Sequence, residues 1–89
     1  MRFIVQSSAF KKDYKRLRKR GYDMGRLRLV IDALLEGKPL DERHRDHSLR
    51  GNYEGWRECH IAPDWLLIYI VNEEELSLAR TGTHADLFE

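Results

Sequence analysis

Residues 65–71 read WLLIYIV, seven apolar side chains in succession. A run this short, bounded by turn residues, is expected of a strand buried on both faces. Such a strand needs neighbours, and the flanking sequence supplies them. Upstream, YEGWRECHI alternates, with Trp56, Glu58 and His60 on one face and Arg57, Cys59 and Ile61 on the other. Pro63 and Asp64 mark the turn between the two runs. Downstream, Asn72 to Glu75 read as a polar hairpin turn, and LSLAR then places Leu76, Leu78 and Arg80 together. Hairpin-linked strands of this kind are antiparallel.

The first half of the chain predicts helices. RFIVQS reads as a first strand. Ser7 or Ser8 can then cap a helix by accepting from its orphan amides. Phe10, Tyr14 and Leu17 follow at helical spacing, and Gly21 ends the segment as a left-handed cap. Asp23 can cap a second helix with a buried stripe of Met24, Leu27, Ile31 and Leu34, joined by Val30 and Leu35. Gly37 and Pro39 stop it. So short a connection predicts an antiparallel helical hairpin. Residues 40–52, LDERHRDHSLRGN, read as a polar loop. The expected order is β-α-α-β-β-β, an α+β domain over residues 1–89 with both helices on one sheet face. The opposite face has to meet water or a ligand.

With 89 residues the chain is expected to form one domain with a small core. No apolar run approaches the roughly 20 residues of a membrane helix, and MRFIVQSSAF lacks the features of a signal peptide. Cys59, the only cysteine, excludes an intrachain disulfide, fits a reducing cytoplasm and is expected only to pack. The net charge of +1 hides an asymmetry. Residues 1–50 carry fourteen Lys and Arg against seven Asp and Glu, whereas residues 51–89 carry two against eight. A basic half can meet a polyanion.

Four histidines supply groups that titrate near neutral pH. His44 and His47 fall in the polar loop, and His44 reads as solvated. His60 and Asp64 flank the turn, while Arg80 and His84 lie just past the last strand. Antiparallel pairing brings the end of LSLAR beside the start of WLLIYIV. His60, Asp64, Trp65, Arg80 and His84 are therefore expected to converge at one end of the sheet. A metal site is the competing reading, but no tight ligand pair such as HxH or HExxH appears. An acid, a base and an arginine beside a basic surface suit RNA cleavage through the 2′-hydroxyl. A base takes the hydroxyl proton, an acid protonates the 5′-oxygen, and a cation stabilises the charged phosphorane.

RDHSLRGNYEGWRECHI, APDWLLIYI and ARTGTHADLF together resemble the YafQ group of the RelE/ParE toxin superfamily, with FKKDYKRLRKRGYDMGRLRLVI matching its helical hairpin. The resemblance runs from about residue 3 to Phe88 and rests on the joint occurrence of DHxLxG, HxxPDWxLIY and RTGTHxxLF. It implies a RelE-like fold with the hairpin on a curved, mainly antiparallel sheet. It also implies a cytoplasmic type II toxin, an mRNA interferase that cuts message in the A site of the 70S ribosome without a metal or other cofactor. The catalytic set it implies is His47, His60, Asp64, Arg80 and His84, with His84 the leading general acid and Arg80 on the scissile phosphate. Trp65 and Phe88 would position bases. Lys11, Lys12, Lys15, Arg16, Arg18, Lys19, Arg43, Arg45 and Arg50 would grip ribosomal RNA. The implied partner is a RelB/DinJ-type antitoxin, through which alone the toxin would reach operator DNA. The alternatives are a gyrase-binding toxin of ParE type, which lacks the histidine set, and a plain RNA- or ribosome-binding module. The final segment, from His84 on, is expected to be short and mobile.

Overall fold

A computed structural model describes residues 2–88. Strand β1 (Phe3–Gln6) leads into helix α1 (Ser8–Lys19) and helix α2 (Met24–Leu35). Four strands come after the helices: β2 (His47–Ser48), β3 (Arg57–Ala62), β4 (Trp65–Val71) and β5 (Glu75–Gly82). A five-residue helix, α3 (His84–Phe88), ends the described chain. The sheet order is β1-β5-β4-β3-β2, with β1 parallel to β5 and the other pairs antiparallel.

Local chemistry accounts for the hairpin. The Ser7 hydroxyl accepts from the Phe10 amide at 2.9 Å, and Asp23 accepts from the Gly25 amide at 3.1 Å. Gly21 takes φ +85°, and the Tyr22 amide bonds back to the Leu17 carbonyl, closing α1 with a left-handed cap. The helices bury Phe10, Leu17, Leu27, Val30 and Leu34 against Cys59, Ile61, Trp65, Leu67, Tyr69, Leu76 and Leu78. Burial pushes the Cys59 thiol up to about 12, so it packs as a small apolar group.

Three features depart from the sequence expectation. The polar loop contains β2, whose His47 pairs with Glu58. The final segment is a helix, and its buried Leu87 packs with Leu66 and Ile68 on the sheet face opposite the hairpin. That face also holds Leu49, Tyr53, Trp56 and Ala79, so it is partly covered by protein. Finally, β5 is bulged. Leu78 pairs with Tyr69, but Arg80 pairs with Ile68, leaving Ala79 as the extra residue. The bulge moves Arg80 off the Leu76–Leu78 face and into register with the opposite one.

Candidate active site

The face opposite the hairpin collects the chemistry-bearing side chains row by row. One row across the sheet runs His47, Glu58, Ile68, Arg80. The next runs His60, Leu66, Gly82. Helix α3 then lays His84 over the same end, with ring centroids 6.0 Å from His60; His60 is 6.5 Å from His47.

Asp64 fixes His84. Its carboxylate oxygen Oδ1 accepts from the His84 amide at 3.2 Å and pairs with ring Nδ1 at 2.6 Å. A carboxylate only accepts, so Nδ1 carries the proton and Nε2 is turned outward. This hydrogen bond, with the backbone bond beside it, holds the Asp64 carboxyl below the usual carboxylate range. Both side chains are exposed, so Nε2 is open to a substrate. Together the two residues form an oriented acid–base group.

His47 and His60 share a carboxylate. Glu58 Oε1 lies 3.5 Å from His47 Nε2 and 3.6 Å from His60 Nε2, while its residue is only 6% exposed. The His47 Nδ1–H donates to the Arg45 carbonyl at 2.6 Å, and that of His60 faces the Pro63 carbonyl at 3.3 Å. Backbone acceptors thus orient both rings with Nε2 toward Glu58. Arg45 adopts φ +47°, which turns its carbonyl to this task. Glu58 is absent from the set expected on sequence, although its alternation with His60 places the two on one face.

Arg80 is held by a helix. Its Nε donates to Asp13 Oδ2 at 2.7 Å and its Nη2 to Asp13 Oδ1 at 3.2 Å. Asp13 also accepts from the Thr81 amide at 3.1 Å and from Arg16 at 2.8 Å. Because β1 pairs only as far as Leu78, the β5 edge beyond it is open, and the buried Asp13 carboxylate closes it. The Asp13 bond raises the Arg80 guanidinium above its ordinary value, keeping it cationic.

Other expected residues divide. Phe88 is exposed beside His84, with centroids 6.5 Å apart, and packs edge-on to Tyr53. Trp65 does not join the site. It is 3% exposed in the main core, stacks edge-on against Tyr22, and donates from Nε1 to Thr81 Oγ1 at 2.9 Å. Its position in β4 puts it on the hairpin face, out of reach of a base. His44 is not simply solvated: its Nδ1–H donates to the His60 carbonyl at 2.6 Å and braces the strand that carries the site. Lys11, Lys12, Lys15, Arg18 and Lys19 are exposed on α1, as are Arg43, Arg45 and Arg50 in the loop. Arg16 is half-buried and turned to Asp13. Among the described residues, no three His, Cys, Asp or Glu side chains are grouped to hold a metal ion.

The profile of YafQ, bacterial toxins of type II toxin–antitoxin systems, matches residues 2–89. The chain belongs to the YafQ family. It is 41% identical over 88 residues to the mRNA interferase toxin YafQ of Escherichia coli K12, spanning 98% of this chain and 96% of that one. A chain of the E. coli DinJ–YafQ complex superposes over the full length of both chains, with a TM-score of 0.92 at 40% identity. A metal-bound toxin from Helicobacter pylori aligns at 41% identity and TM-score 0.91, covering 99% of this chain and all of that one. YafQ membership makes the helices-on-curved-sheet architecture, with its added α3, the scaffold of a toxin.

Proposed function

We propose that this toxin is an mRNA interferase that cuts message in the ribosomal A site, using the RNA 2′-hydroxyl as nucleophile. The observation that carries the reading is the Asp64–His84 pair, which leaves an oriented, solvent-open Nε2 on a ring 6.0 Å from that of His60. His84, as the imidazolium that the Asp64 carboxylate stabilises through Nδ1–H, gives its Nε2 proton to the departing 5′-oxygen. His60 or His47, its ring held by a backbone acceptor, takes the proton from the 2′-hydroxyl on Nε2, and Glu58 stabilises the imidazolium that forms. Arg80, kept cationic by Asp13, binds the scissile phosphate and its developing charge. Phe88 offers a face for stacking on a base. The exposed lysines and arginines of α1 and of the loop grip ribosomal RNA.

These steps need no metal, and the metal-bound relative from H. pylori makes chelation the informative control. The E. coli DinJ–YafQ complex supports an antitoxin of DinJ type as the partner; in this reading the antitoxin keeps the toxin silent in the cytoplasm and carries it to operator DNA.

The test maps cut ends on ribosome-bound message, with magnesium matched and transition metals chelated. The wild-type protein should cut and His84→Ala should lose on the order of a hundredfold or more in rate while staying folded. A message with a 2′-deoxy sugar at the scissile step should resist. Cutting that survives His84→Ala overturns its role as the acid. Inhibition of gyrase supercoiling with message intact overturns the interferase reading as a whole.

A further inference from the structure

Helix α3 is too short to stand alone, yet it carries His84 and Phe88. Asp64 orients the His84 ring but is itself an exposed turn residue. The stiffer link lies at Asp86. Its carboxylate accepts from the Thr83 amide at 3.1 Å, while the Thr83 hydroxyl accepts from the Asp86 amide at 3.1 Å. This reciprocal capping closes the helix start on itself. Arg20 then clamps the same carboxylate with two donors, Nη1 at 2.9 Å and Nη2 at 3.2 Å. Arg20 is the C-terminal cap residue of α1, so the clamp joins two elements 66 residues apart. Gly82 makes room for it, since a Cβ there would lie 3.0 Å from both the Asp86 Cβ and its carboxylate.

We infer that the Arg20–Asp86 clamp is a positioning device: it anchors α3 to the end of the basic helix and thereby fixes His84 Nε2 over the reactive face. Neither residue touches the reacting atoms. Arg20 therefore acts through Asp86, and Asp86 through the backbone of α3.

The activity arm rests on the function proposed above, and the spectroscopic arm does not. The experiment compares Arg20→Ala, Asp86→Asn and the double variant with wild type. The two single changes alter net charge in opposite directions. If the residues act only through the field they offer RNA, one variant should bind message more weakly and the other more tightly. A positioning link predicts the same direction for both: kcat down on the order of tenfold to a hundredfold, with KM for ribosome-bound message little changed. The double variant should be no worse than the worse single one, because both break one link. Arg20→Lys, which keeps the charge and loses the fork, should fall between.

The second readout is the ring nitrogen shifts of His84 in the free toxin at a temperature where every variant is folded. Wild type should show a single Nδ1–H tautomer, and the clamp variants an averaged one. Opposite-signed kinetic effects, or kcat and His84 signals unchanged in both variants, overturn the inference. A wild-type protein that fails to cut RNA overturns the proposed function alone, and the nitrogen shifts still decide the clamp.

Discussion

Asp13 illustrates how a structural carboxylate comes to serve a site it never faces. It sits three residues after Phe10, on the buried side of α1, where an unpaired charge would be costly. It persists because Arg80, Arg16 and the Thr81 amide all donate to it. Removing one partner of such a cluster is far more damaging than the net value of the pair. Asp13→Ala should cost about 3–5 kcal/mol, a large share of the roughly 5–15 kcal/mol available to a small domain. Chemical denaturation of the purified variant measures it, and an unchanged midpoint would contradict the account. Trp65 is the converse case. Antiparallel pairing brings the start of β4 to the site end of the sheet, and the family motif includes Trp65, so the indole was expected there. The Trp65 side chain falls on the hairpin face of β4, however, and burial against Tyr22 leaves the ring to the core.

At the level of elements, α3 changes most from the expectation of a mobile tail. Burial of Leu87 on Leu66 and Ile68 ties the segment to the sheet. Deleting residues from His84 onward should therefore lower stability by about 2 kcal/mol or more as well as removing activity. A truncated protein with the full-length denaturation midpoint would refute that. Acid should release the same helix. The hydrogen bonds from His84 and from Arg20 depress Asp64 and Asp86 respectively below their unfolded values. A depressed carboxyl stabilises the fold above its unfolded pKa, about 4, and the contribution fades as pH falls through the lower folded value. Below about pH 4, the Leu87 methyl resonances should therefore move toward solvent-exposed positions before the main core unfolds. Simultaneous loss of core and α3 signals would count against a separately anchored helix.

The same elements show what the sequence makes legible. The helical hairpin was readable because apolar stripes recur over twelve residues in each helix, with Ser7 and Asp23 as caps and Gly21 and Gly37 as stops. The hairpins of β3, β4 and β5 were readable from alternation and from turn residues. Strand direction alone gave the expected convergence of His60, Asp64, Trp65, Arg80 and His84, of which Trp65 falls on the other face. By contrast, β2 has two residues, too few to show any period. Helix α3 has five residues, too few to display a stripe. The β5 bulge had no marker at all, since neither glycine nor proline stands at position 79, which is Ala79.

Across the whole molecule, charge is divided along the chain more than it is in total. Residues 1–50 carry fourteen cations against seven acids, while residues 51–89 carry two against eight. Association with ribosomes should therefore be dominated by phosphate contacts and fall steeply with salt. Six to ten such contacts correspond to a loss of about 10³–10⁵ in affinity between 50 and 200 mM salt. Sedimentation of an uncleaving variant with ribosomes over that range gives the slope, and a flat response would separate the basic helix from RNA binding. Among the described residues no helix is long and apolar enough to cross a membrane.

The extra residue at Ala79 sets a parity. A strand assigns its side chains to faces by odd or even count, and the bulge changes that count once, between Leu78 and Arg80. Before it, the count directs apolar residues inward under the helices. After it, the same count directs a guanidinium outward, toward the histidine face. A one-residue insertion just after it, with the bulge kept, would keep every functional side chain in the sequence and every strand in the sheet. It would nonetheless exchange inside and outside for the rest of β5, sending Arg80 toward the core and Thr81 away from Trp65. Tolerance to insertion and deletion in this strand is thus a matter of arithmetic rather than of chemistry, and losses should be restored by a second single-residue change of opposite sign nearby.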